Sequence, residues 1–434
     1  MKGHVQDRWT RHKRDDAGNF VYTNKGRPVR EKTALYGVGL RYKVHYYDPD
    51  GKERNQSFPD KAKTKADNFL TKMQHDVLSD DYVDPKAGDE LFRTYTKQWM
   101  KGQSADASTR QTVESRLKNG VYPMLGDKSL RVAGRVDTIR DWMEWMERPV
   151  SEGGKCYLAS YRAQLFDLVS AILNSACDDK KIKKNPCAAK SIKRPKKDGR
   201  KIVPWPEERV HAVKNALPGP YKIAVPLGAG AGLRQMEIFG FSPDDVDRKR
   251  SVLNIQRQIR WIGRVPVFAP PKGGKTREVP AGAGLLDEIE AHQAEFEPVE
   301  VTLPWLEPKG RPETVRLLIN RQRLRLARTA TNPFDVVSGA AFATRAWPKA
   351  FADAGLVYVP RIDSMHGLRH FFASIMLANG VSIKELAEYL GHHDPGFTLR
   401  IYTHLVPSSH TRARAACDMI FTPAAASEPE ALAA

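Results

Sequence analysis

Two neighbouring stretches in the C-terminal part of the sequence decide how the chain is interpreted. Residues 365–380 read MHGLRHFFASIMLANG, and residues 390–405 read LGHHDPGFTLRIYTHL. In the first stretch, His366 and Arg369 are three residues apart, so they share one face of a helix. The leucine and phenylalanines around them supply the buried part of that helix. The first stretch therefore predicts a helix that presents a histidine and an arginine together.

The second stretch, with the residues just before it, predicts a tight turn between two short helices. The S-x-x-E pattern at residues 382–385 is a capping box that begins one helix, and Gly391 is suited to end it. Pro395 suits the first turn of a further helix, which would carry Thr398 and Tyr402. A polar helix, a tight turn and a helix with a tyrosine are thus predicted in close succession.

Two clusters upstream carry further basic residues. Residues 228–247 read GAGAGLRQMEIFGFSPDDVD, and residues 270–280 read PPKGGKTREVP. Arg234 follows a glycine-rich approach and begins an apolar helix. No G-x-x-x-x-G-K-[ST] pattern occurs here, so these glycines do not form a nucleotide-binding loop. In the second cluster, a Gly-Gly pair predicts a hairpin tip between Lys272 and Lys275 that can project a lysine.

These clusters, in this order, resemble the tyrosine recombinase (phage integrase) family over about residues 225–405. The resemblance rests on AGLRQMEIFGF for the first arginine box, KGGKTREVP for the lysine hairpin, HGLRH for the second box, and LGHHDPGFTLRIYTHL for the last histidine and the nucleophile. It implies a mostly helical catalytic domain with a small β-sheet. It also implies a site-specific DNA recombinase that cuts and rejoins DNA through a covalent 3′-phosphotyrosyl intermediate, without a cofactor or a metal.

The resemblance places the family's catalytic roles on six residues: Arg234, Lys272, His366, Arg369, His392 and Tyr402. The chemistry suits these side chains, because attack on a phosphodiester builds a more highly charged state. Two guanidinium groups can bind its non-bridging oxygens, and fixed cations lower the barrier. The tyrosine would attack phosphorus, and the lysine would give a proton to the leaving 5′ oxygen. The first histidine would accept the tyrosine proton or orient the phosphate, and the second would hydrogen-bond the phosphate.

Three of these assignments have rivals close by. They are Lys275 for Lys272, His393 for His392, and Tyr358 and Tyr389 for Tyr402. In the family, the histidine directly follows Leu-Gly, and the lysine precedes the last proline of the strand by the interval seen for Lys272. His366 and His370 form an i, i+4 pair that could suggest zinc, but no glutamate lies between them and no third ligand is evident. Glu237 is expected to hold the loop of Arg234.

The N-terminal 85 residues predict a small DNA-binding domain. Residues 1–34 are polar and basic and are expected to form a flexible, irregular lead-in. Residues 38–47 alternate like a half-buried strand, a second strand returns over 52–58, and a helix follows. A sheet with a basic outer face fits the major groove of DNA, with Arg41 and Lys43 as contacts. The alternative is that these two side chains form the solvated face of an ordinary hairpin.

Residues 88–190 are typical of helices whose aromatic residues form a core. Between 180 and 201 the composition changes to eleven Lys and Arg against one acid, with two prolines. This change predicts a linker suited to binding phosphates. The predicted DNA contacts in it are Lys183, Lys184, Lys193, Arg194, Lys196 and Lys197. The alternative is a linker whose charge only keeps the chain in solution.

The sequence thus predicts an α+β multidomain chain with small sheets. Its expected parts are an arm-type DNA-binding domain of sheet and helix (1–85), an all-helical core-binding domain (88–190), a basic linker (180–201), a catalytic domain (202–421) and a disordered tail (422–434). This layout resembles that of integrases from phages or integrative elements. Residues 296–328, rich in proline, tryptophan and arginine, receive no assignment.

Composition and charge agree with a protein that acts on DNA. The chain has 434 residues and a formal net charge of +19, and such a field favours a polyanion partner. No apolar run approaches the ~20 residues needed to cross a bilayer, and the first residues lack the apolar segment of a secretory signal. The four cysteines contain no C-x-x-C pair, so no zinc knuckle or disulfide framework is expected. The expected location is cytoplasmic, with the bacterial nucleoid.

The expected partners are double-stranded DNA at attachment sites and further copies of the chain in a homotetramer. An excision factor or a host DNA-bending protein is a further expected partner, and a short apolar face within 406–422 is expected to dock onto a neighbouring subunit. Two other functions stay open. One is DNA relaxation by a type IB topoisomerase, against which the arm-like first domain argues. The other is a DNA-binding regulator with an inactive catalytic fold, against which the complete catalytic set argues.

Overall fold

The computed structural model describes residues 3–104, 106–196, 202–324, 334–402, 414 and 417. The chain folds into two compact units, Met1–Asp198 and Gly199–Ala434. The boundary between the units lies inside the basic segment that was predicted as a linker. Both units combine helices with small antiparallel sheets, which confirms the predicted α+β multidomain fold.

The first unit begins with short strands and continues with helices. Its strands are β1 (His4–Asp7), β2 (Thr10–His12), β3 (Arg30–Lys32), β4 (Tyr42–Tyr47) and β5 (Glu53–Phe58). Its helices are α1 (Lys63–Leu78), α2 (Phe92–Lys101), α3 (Ala107–Arg116), α4 (Leu130–Ala133), α5 (Val136–Glu147) and α6 (Ala159–Asp178). A wider helical segment, Leu117–Gly126, continues α3 without a break.

The N-terminal sheet has the order β1-β4-β5, and α1 packs on one of its faces. On β4, the alternating residues Tyr42, Val44 and Tyr46 are buried, as the alternation predicts. The expectation of a flexible, irregular lead-in over residues 1–34 is wrong. Strand β1 pairs with β4, and β2 pairs with β3 in a ribbon. These short strands are polar, so they lack the apolar alternation by which a strand is identified from sequence.

The helices α2 to α6 pack around a core of their own, which confirms the predicted helical character of residues 88–190. Phe92, Tyr95 and Trp142 are buried in this core, as expected for packed aromatic residues. The indole nitrogen of Trp142 donates to the carbonyl of Gly120 at 2.8 Å, so its polar group is satisfied inside the core.

The interpretation of residues 180–201 as a free linker is wrong for their first half. Ile182, Cys187 and Ile192 are buried in the helical core, and they anchor the segment at intervals of five residues. Lysines and arginines dominate the composition there, so an interpretation based on charge overlooks the three buried apolar residues. The segment therefore belongs to the first unit up to at least Ile192.

The second unit mixes helices with short strands. Its helices are α7 (Glu207–Ala216), α8 (Ala224–Ala231), α9 (Gln235–Phe239), α10 (Ala283–Glu295), α11 (Gly339–Ala341), α12 (Trp347–Asp353), α13 (His366–Ala378), α14 (Ile383–Leu390) and α15 (Pro395–Tyr402). Its strands are β6 (Val246–Asp247), β7 (Val252–Ile255), β8 (Gln258–Ile262), β9 (Val265–Ala269), β10 (Arg277–Pro280), β11 (Val299–Pro304) and β12 (Pro312–Leu317).

The strands of the second unit form three small sheets. Strands β10, β7 and β6 form one antiparallel sheet, β8 pairs with β9, and β11 pairs with β12. The segment 296–328, which the sequence left unassigned, therefore contains a hairpin, and a bridge between Phe268 and Trp305 joins it to β9. In the ranges described, no helix combines the length and apolar character needed to cross a bilayer.

Candidate active site

The separate sequence clusters converge at one place in the second unit. The six predicted site residues lie as follows: Arg234 directly before α9, Lys272 in the turn between β9 and β10, His366 and Arg369 in the first turn of α13, His392 just after α14, and Tyr402 at the end of α15. Hydrogen bonds join these elements to one another. The predicted site thus exists as a physical cluster and not only as a set of motifs.

Arg369 lies at the centre of the cluster and is almost fully buried. Its Nη1 donates to the carbonyl of Gly232 at 2.7 Å, and its Nη2 donates to the carbonyl of Leu390. Gly232 ends α8 in the left-handed region, where a Cβ would also strike the ring of Phe372 at 2.5 Å. Within the described part of the chain, Nε of Arg369 has no hydrogen-bond partner. One N–H of the guanidinium thus has no partner inside the cluster in this part of the chain.

Glu237 fixes the first arginine box. Its carboxylate accepts from the backbone N–H of Arg234 at 2.9 Å and from Nη1 of the same residue at 2.8 Å. Arg277 on β10 donates to both carboxylate oxygens, at 3.1 and 2.7 Å. Burial alone would raise the pKa of Glu237, but the bonds and charge of Arg277, with Arg234, lower it to about 2. The expected structural role of Glu237 agrees with these contacts.

Arg277 is a residue of the site that the sequence reasoning missed. It is buried, and besides Glu237 it binds the carbonyl of Tyr389 at the end of α14 through Nε at 2.7 Å. It thereby ties β10, the strand after Lys272 and Lys275, to the turn that carries His392. The hairpin expected at these two lysines is wrong, because β9 pairs with β8 and β10 pairs with β7. Its place in KGGKTREVP looked like one more exposed cation of a hairpin, and only the tertiary contacts distinguish it from Lys275.

His392 is held between two elements. Arg369 Nη2 lies 3.1 Å from Nε2 of the ring, and Thr398 Oγ1 on α15 lies 2.6 Å from Nδ1. Since the guanidinium can only donate, Nε2 accepts and Nδ1 carries the proton that is donated to Thr398. Desolvation and the charges of Arg369 and Arg234 lower the pKa of His392 to about 3, so the ring is neutral at pH 7. Its rival His393 is exposed.

Tyr402 is buried at the end of α15, and its hydroxyl lies 2.7 Å from Nδ1 of His370. Burial raises the pKa of Tyr402 to about 12, even though the positive charges of Arg369 and Arg234 act in the opposite direction. The phenol is therefore neutral in the free protein. The sequence reasoning considered His370 only as half of a zinc pair, so its contact with the tyrosine was missed.

His366 and Lys272 lie on the open side of the cluster. Desolvation lowers the pKa of His366 to about 4, and nearby cations add to the effect, in the order Arg369, Arg234, Lys272. Both His366 and Lys272 keep substantial exposure to solvent. The charge of Lys272 contributes to the lowered pKa of His366, so this lysine, which was preferred over Lys275, lies close to the site.

The predicted DNA contacts of the first unit are partly engaged with carboxylates. Arg41 pairs with Asp7 and Asp60, both at 3.0 Å. Lys183 pairs with Asp76 at 2.6 Å, and Arg194 pairs with Asp167 at 2.6 Å. The remaining predicted contacts are half-exposed or exposed: Lys43, Lys184, Lys193 and Lys196. Lys197 lies outside the described residues. Arg41, Lys183 and Arg194 thus hold the protein's own carboxylates in the free state.

A basic groove between α2 and α3 was not predicted. Its volume is about 570 Å³, and its lining carries five cations and one carboxylate: Arg93, Lys97, Lys101, Arg110, Lys118 and Glu114. On α2 the cations repeat at every fourth residue, at positions 93, 97 and 101, whereas on the other side of the groove Arg110 and Lys118 flank Glu114 at the same spacing. The signal was present in the sequence as the i, i+4, i+8 spacing of the cations on α2. It was overlooked because the aromatic residues of the same helices drew the interpretation towards the core.

No cluster of three or more His, Cys, Asp or Glu side chains that could hold a metal ion occurs in the ranges the structure describes. The pair His366 and His370 packs edge to face, with ring centroids 4.6 Å apart. The arrangement is therefore one of cations, neutral imidazoles and a phenol around a space open to DNA. Such a set can bind a phosphate and move protons.

Comparison with known proteins identifies the family. The model of the phage integrase family matches residues 207–408, which hold all six predicted catalytic residues. The segment 207–408 belongs to the phage integrase family of tyrosine recombinases. The chain is 26% identical to a XerC-like tyrosine recombinase of Caldanaerobacter subterraneus over 279 residues, which are 57% of this chain and 63% of that protein. It is 24% identical to the prophage phiRv2 integrase of Mycobacterium tuberculosis over 371 residues, or 84% of this chain and 88% of that one.

Solved structures agree with the fold of this chain. The Tn1549 transposon integrase in complex with a circular intermediate DNA matches with a TM-score of 0.57 and 17% identity, covering 76% of this chain and 99% of that one. A lambda integrase tetramer bound to a Holliday junction matches with a TM-score of 0.51 and 15% identity, covering 88% of this chain and 97% of that one. The predicted tyrosine recombinase fold is confirmed.

Proposed function

We propose that this chain is a site-specific DNA recombinase that integrates or excises a phage or mobile element. The observation that carries the proposal is the convergence of Tyr402, Arg369 and His392 from three separate elements. The tyrosine hydroxyl lies beside a buried arginine whose Nε is free among the described residues. A nucleophile and a phosphate-binding group are thus held together in a site without a metal cluster in its described part.

In the proposed reaction, Arg234 and Arg369 bind the non-bridging oxygens of one phosphodiester. Tyr402 Oη attacks phosphorus, the bond from phosphorus to the 5′ oxygen breaks, and a 3′-phosphotyrosyl link forms. Lys272 gives a proton to the leaving 5′ oxygen. His366 hydrogen-bonds the phosphate as its charge increases. His392, which was expected to do the same, has no N–H left to donate and instead holds Arg369 in place through its Nε2 at 3.1 Å. The link conserves the energy of the broken bond, so rejoining requires no cofactor.

Double-stranded DNA is the proposed partner of both units. The net charge of +19 favours it. In the first unit, the groove between α2 and α3 carries five cations, of which Arg93 pairs with Asp127 at 2.9 Å, while the β1-β4-β5 sheet carries the half-exposed Lys43. Arg41, Lys183 and Arg194 would have to exchange their carboxylate partners for phosphates. We propose that the groove supplies the larger part of backbone binding, and that 1–85 is an arm-type domain.

We propose further that the active assembly is a homotetramer on two duplexes in the cytoplasm, with the bacterial nucleoid. The lambda integrase in the matched structure is a tetramer on a Holliday junction. The segment 406–422, proposed to dock onto a neighbouring copy, lies outside the described residues except for 414 and 417, and the tail 422–434 lies outside them altogether. A chain cut after residue 407 should bind DNA normally but fail to form tetramers on it, as measured by sedimentation. Tetramers and recombination at the level of the full chain would contradict this role. An excision factor or DNA-bending protein remains a proposed partner.

Covalent capture tests the proposed function. The protein is mixed with randomly nicked DNA from its source genome and mobile elements, because a nick near the cut lets the short 5′-OH end leave and traps the intermediate. The bound DNA is sequenced after denaturation. We expect the wild type to trap one sequence, Tyr402→Phe to trap none, and the rival variants Tyr389→Phe and Tyr358→Phe to behave as wild type. Capture scattered over all sequences would instead favour a topoisomerase. DNA binding without capture, even with host extract, would favour an inactive regulator.

A further inference from the structure

The direct partner of the nucleophile is His370, and not the histidine that precedes Arg369. Tyr402 Oη lies 2.7 Å from Nδ1 of His370, within hydrogen-bond distance. The two rings also pack with centroids 5.6 Å apart, so the contact includes the whole side chains. Tyr402 is almost fully buried, and His370 is partly buried. A buried hydroxyl at this distance from an imidazole nitrogen can pass its proton directly to that nitrogen.

His366 occupies a different place in the same cluster. It lies one helical turn before His370 on α13, and its ring packs edge to face against that of His370 at 4.6 Å. It is open to solvent on the side where Lys272 acts on it. His366 therefore faces the space that DNA would enter, while His370 lies behind it against the tyrosine. This division separates contact with the phosphate from contact with the nucleophile.

The surroundings keep His370 neutral before DNA binds. Desolvation lowers the pKa of His370 to about 3, and the nearby groups His366, Arg369 and His392 add to the effect. A neutral imidazole has a free lone pair on one ring nitrogen, which is what accepting a phenol proton requires. A phosphate bound between the two arginines would offset their positive charge and raise the proton affinity of His370. The base would thus become effective only when substrate is in place.

We propose that His370 is the catalytic residue that takes the proton of Tyr402 during strand cleavage, an inference that rests on the recombinase function proposed above. As Oη forms its bond to phosphorus, its proton moves to Nδ1 of His370. The bond from phosphorus to the 5′ oxygen breaks, and that oxygen receives a proton from Nζ of Lys272. After cleavage the histidine is cationic and the lysine neutral, and the same two transfers in reverse accompany rejoining.

The test compares two substitutions of His370 on two substrates. The probes are nicked duplexes of the sequence recovered by covalent capture, one with the natural 5′ oxygen at the cut and one with sulfur in its place, since a thiolate leaves without a proton. His370→Asn keeps a hydrogen-bonding atom near the position of Nδ1 but cannot take a proton, whereas His370→Ala removes both. We expect both variants to form covalent complex about 100- to 10,000-fold more slowly on both substrates. Lys272→Ala should be slow on the oxygen substrate only.

Two results would overturn the proposal. One is a His370→Asn protein that cleaves the oxygen substrate at the wild-type rate, because the histidine would then only position the tyrosine. The other is rescue of His370→Asn by the sulfur substrate, because the lost step would then be protonation of the leaving group. Binding of the same duplex and the thermal unfolding midpoint, both expected to be unchanged in His370→Asn, exclude a folding defect as the cause.

A measurement without DNA keeps this test separate from the proposed function. In the free protein labelled with ¹⁵N-histidine, we expect Nδ1 of His370 to be unprotonated at pH 7 and its resonance to shift in Tyr402→Phe. A protonated Nδ1, or a resonance that ignores the loss of the hydroxyl, would contradict the proposed acceptor. If covalent capture fails while the His370 resonance behaves as expected, the proposed recombinase function is contradicted, but the contact between His370 and Tyr402 is still supported.

Discussion

At the scale of single residues, the site consists of groups whose hydrogen bonds determine their protonation. His392 and His370 are both neutral because burial and neighbouring arginines oppose a further positive charge. Each ring contacts a side chain on α15 through its Nδ1. The partner of His392 is Thr398, and the partner of His370 is Tyr402. Because these two partners are four residues apart, one face of a single helix orients both imidazoles.

Replacing Thr398 by valine should slow cleavage without unfolding the protein. Valine keeps the shape of the side chain but leaves Nδ1 of His392 without its acceptor. An unsatisfied buried group costs about 1 to 3 kcal/mol, so we expect a loss of about ten- to a hundredfold in the rate of covalent complex formation. Thr398→Ser is the matched control, because it keeps the hydroxyl, and should stay near wild type. Equal rates for the two variants would show that the hydroxyl does not orient His392.

Glu237 predicts a specific dependence of stability on pH. Its pKa falls from 4.5 to about 2 on folding. A lowered pKa means that the carboxylate stabilises the fold above pH ~4.5, and that this stability is lost as the pH falls towards 2. Urea unfolding should therefore show Glu237→Gln to be less stable by about 3 kcal/mol at pH 7, with the difference shrinking below pH ~4.5.

The exposed capping residue Glu385 provides the control for this prediction. A glutamine at this position can still bind the N-terminal backbone of α14, so Glu385→Gln should change the urea midpoint little at any pH. A gap between wild type and Glu237→Gln that stays constant from pH 7 to 2.5 would show that the charge of Glu237 does not stabilise the fold.

At the scale of elements, the turn after α14 determines where His392 is held. Gly391 ends α14 with φ near 60°, and its carbonyl accepts from Arg234 Nη2 at 3.3 Å. A Cβ at this position would lie 3.0 Å from Cδ of Arg277. The turn therefore links both arginine boxes to the last histidine, and a side chain at Gly391 would push on the salt bridge between Arg277 and Glu237.

The substitution Gly391→Ala should reduce both stability and cleavage. The left-handed conformation costs a residue with a Cβ about 1–2 kcal/mol, and the contact with Arg277 adds to it. Gly355→Ala is the matched control, because Gly355 has φ of 71° but nothing within 4 Å of its Cβ position. It should lose comparable stability in thermal unfolding and keep the cleavage rate. Equal cleavage rates for Gly391→Ala and Gly355→Ala would show that the conformation of the turn at Gly391 does not contribute to catalysis.

The basic groove between α2 and α3 also belongs to this scale. If the groove binds phosphates, the double variant Lys97→Gln and Lys101→Gln should bind DNA less tightly. The slope of log K against log salt should become shallower by about 1.8, at about 0.9 for each lost phosphate contact. A double variant at exposed lysines that do not line the groove, Lys86→Gln and Lys155→Gln, is the control. A slope equal to that of the control would exclude the groove from DNA binding.

At the scale of the whole molecule, the proposed catalytic groups and most of the proposed DNA contacts lie in different compact units. The second unit contains every proposed catalytic group, and the first contains the sheet, the basic groove and the anchored basic segment. Many cations of the first unit are paired internally, so only part of its lysines and arginines is ready to bind phosphate. Exchange of carboxylates for phosphates would make DNA binding strongly dependent on salt.

The sequence alone was sufficient for the resemblance to the family and for the candidate residues of the site. Arg234, Arg369, His392 and Tyr402 stand at fixed distances from glycines and helix starts, and these local signals survive without knowledge of the fold. The helices α13 to α15 were predicted for the same reason, whereas the hairpin of β11 and β12 was not. These helices depend on capping, periodicity and turn residues that are close together along the chain.

Tertiary structure alone decided which groups touch. His370 and Arg277 carry no local pattern that distinguishes them from ordinary helix or strand residues. Their contacts depend on partners far along the chain, Tyr402 for His370 and Glu237 for Arg277. The pairing of Arg41 with Asp7, the strand β1 and the anchoring of Ile182 were hidden for the same reason. A hydrogen bond or an ion pair between distant segments is determined by tertiary packing. This packing cannot be deduced from the spacing of residues that are close together in the sequence.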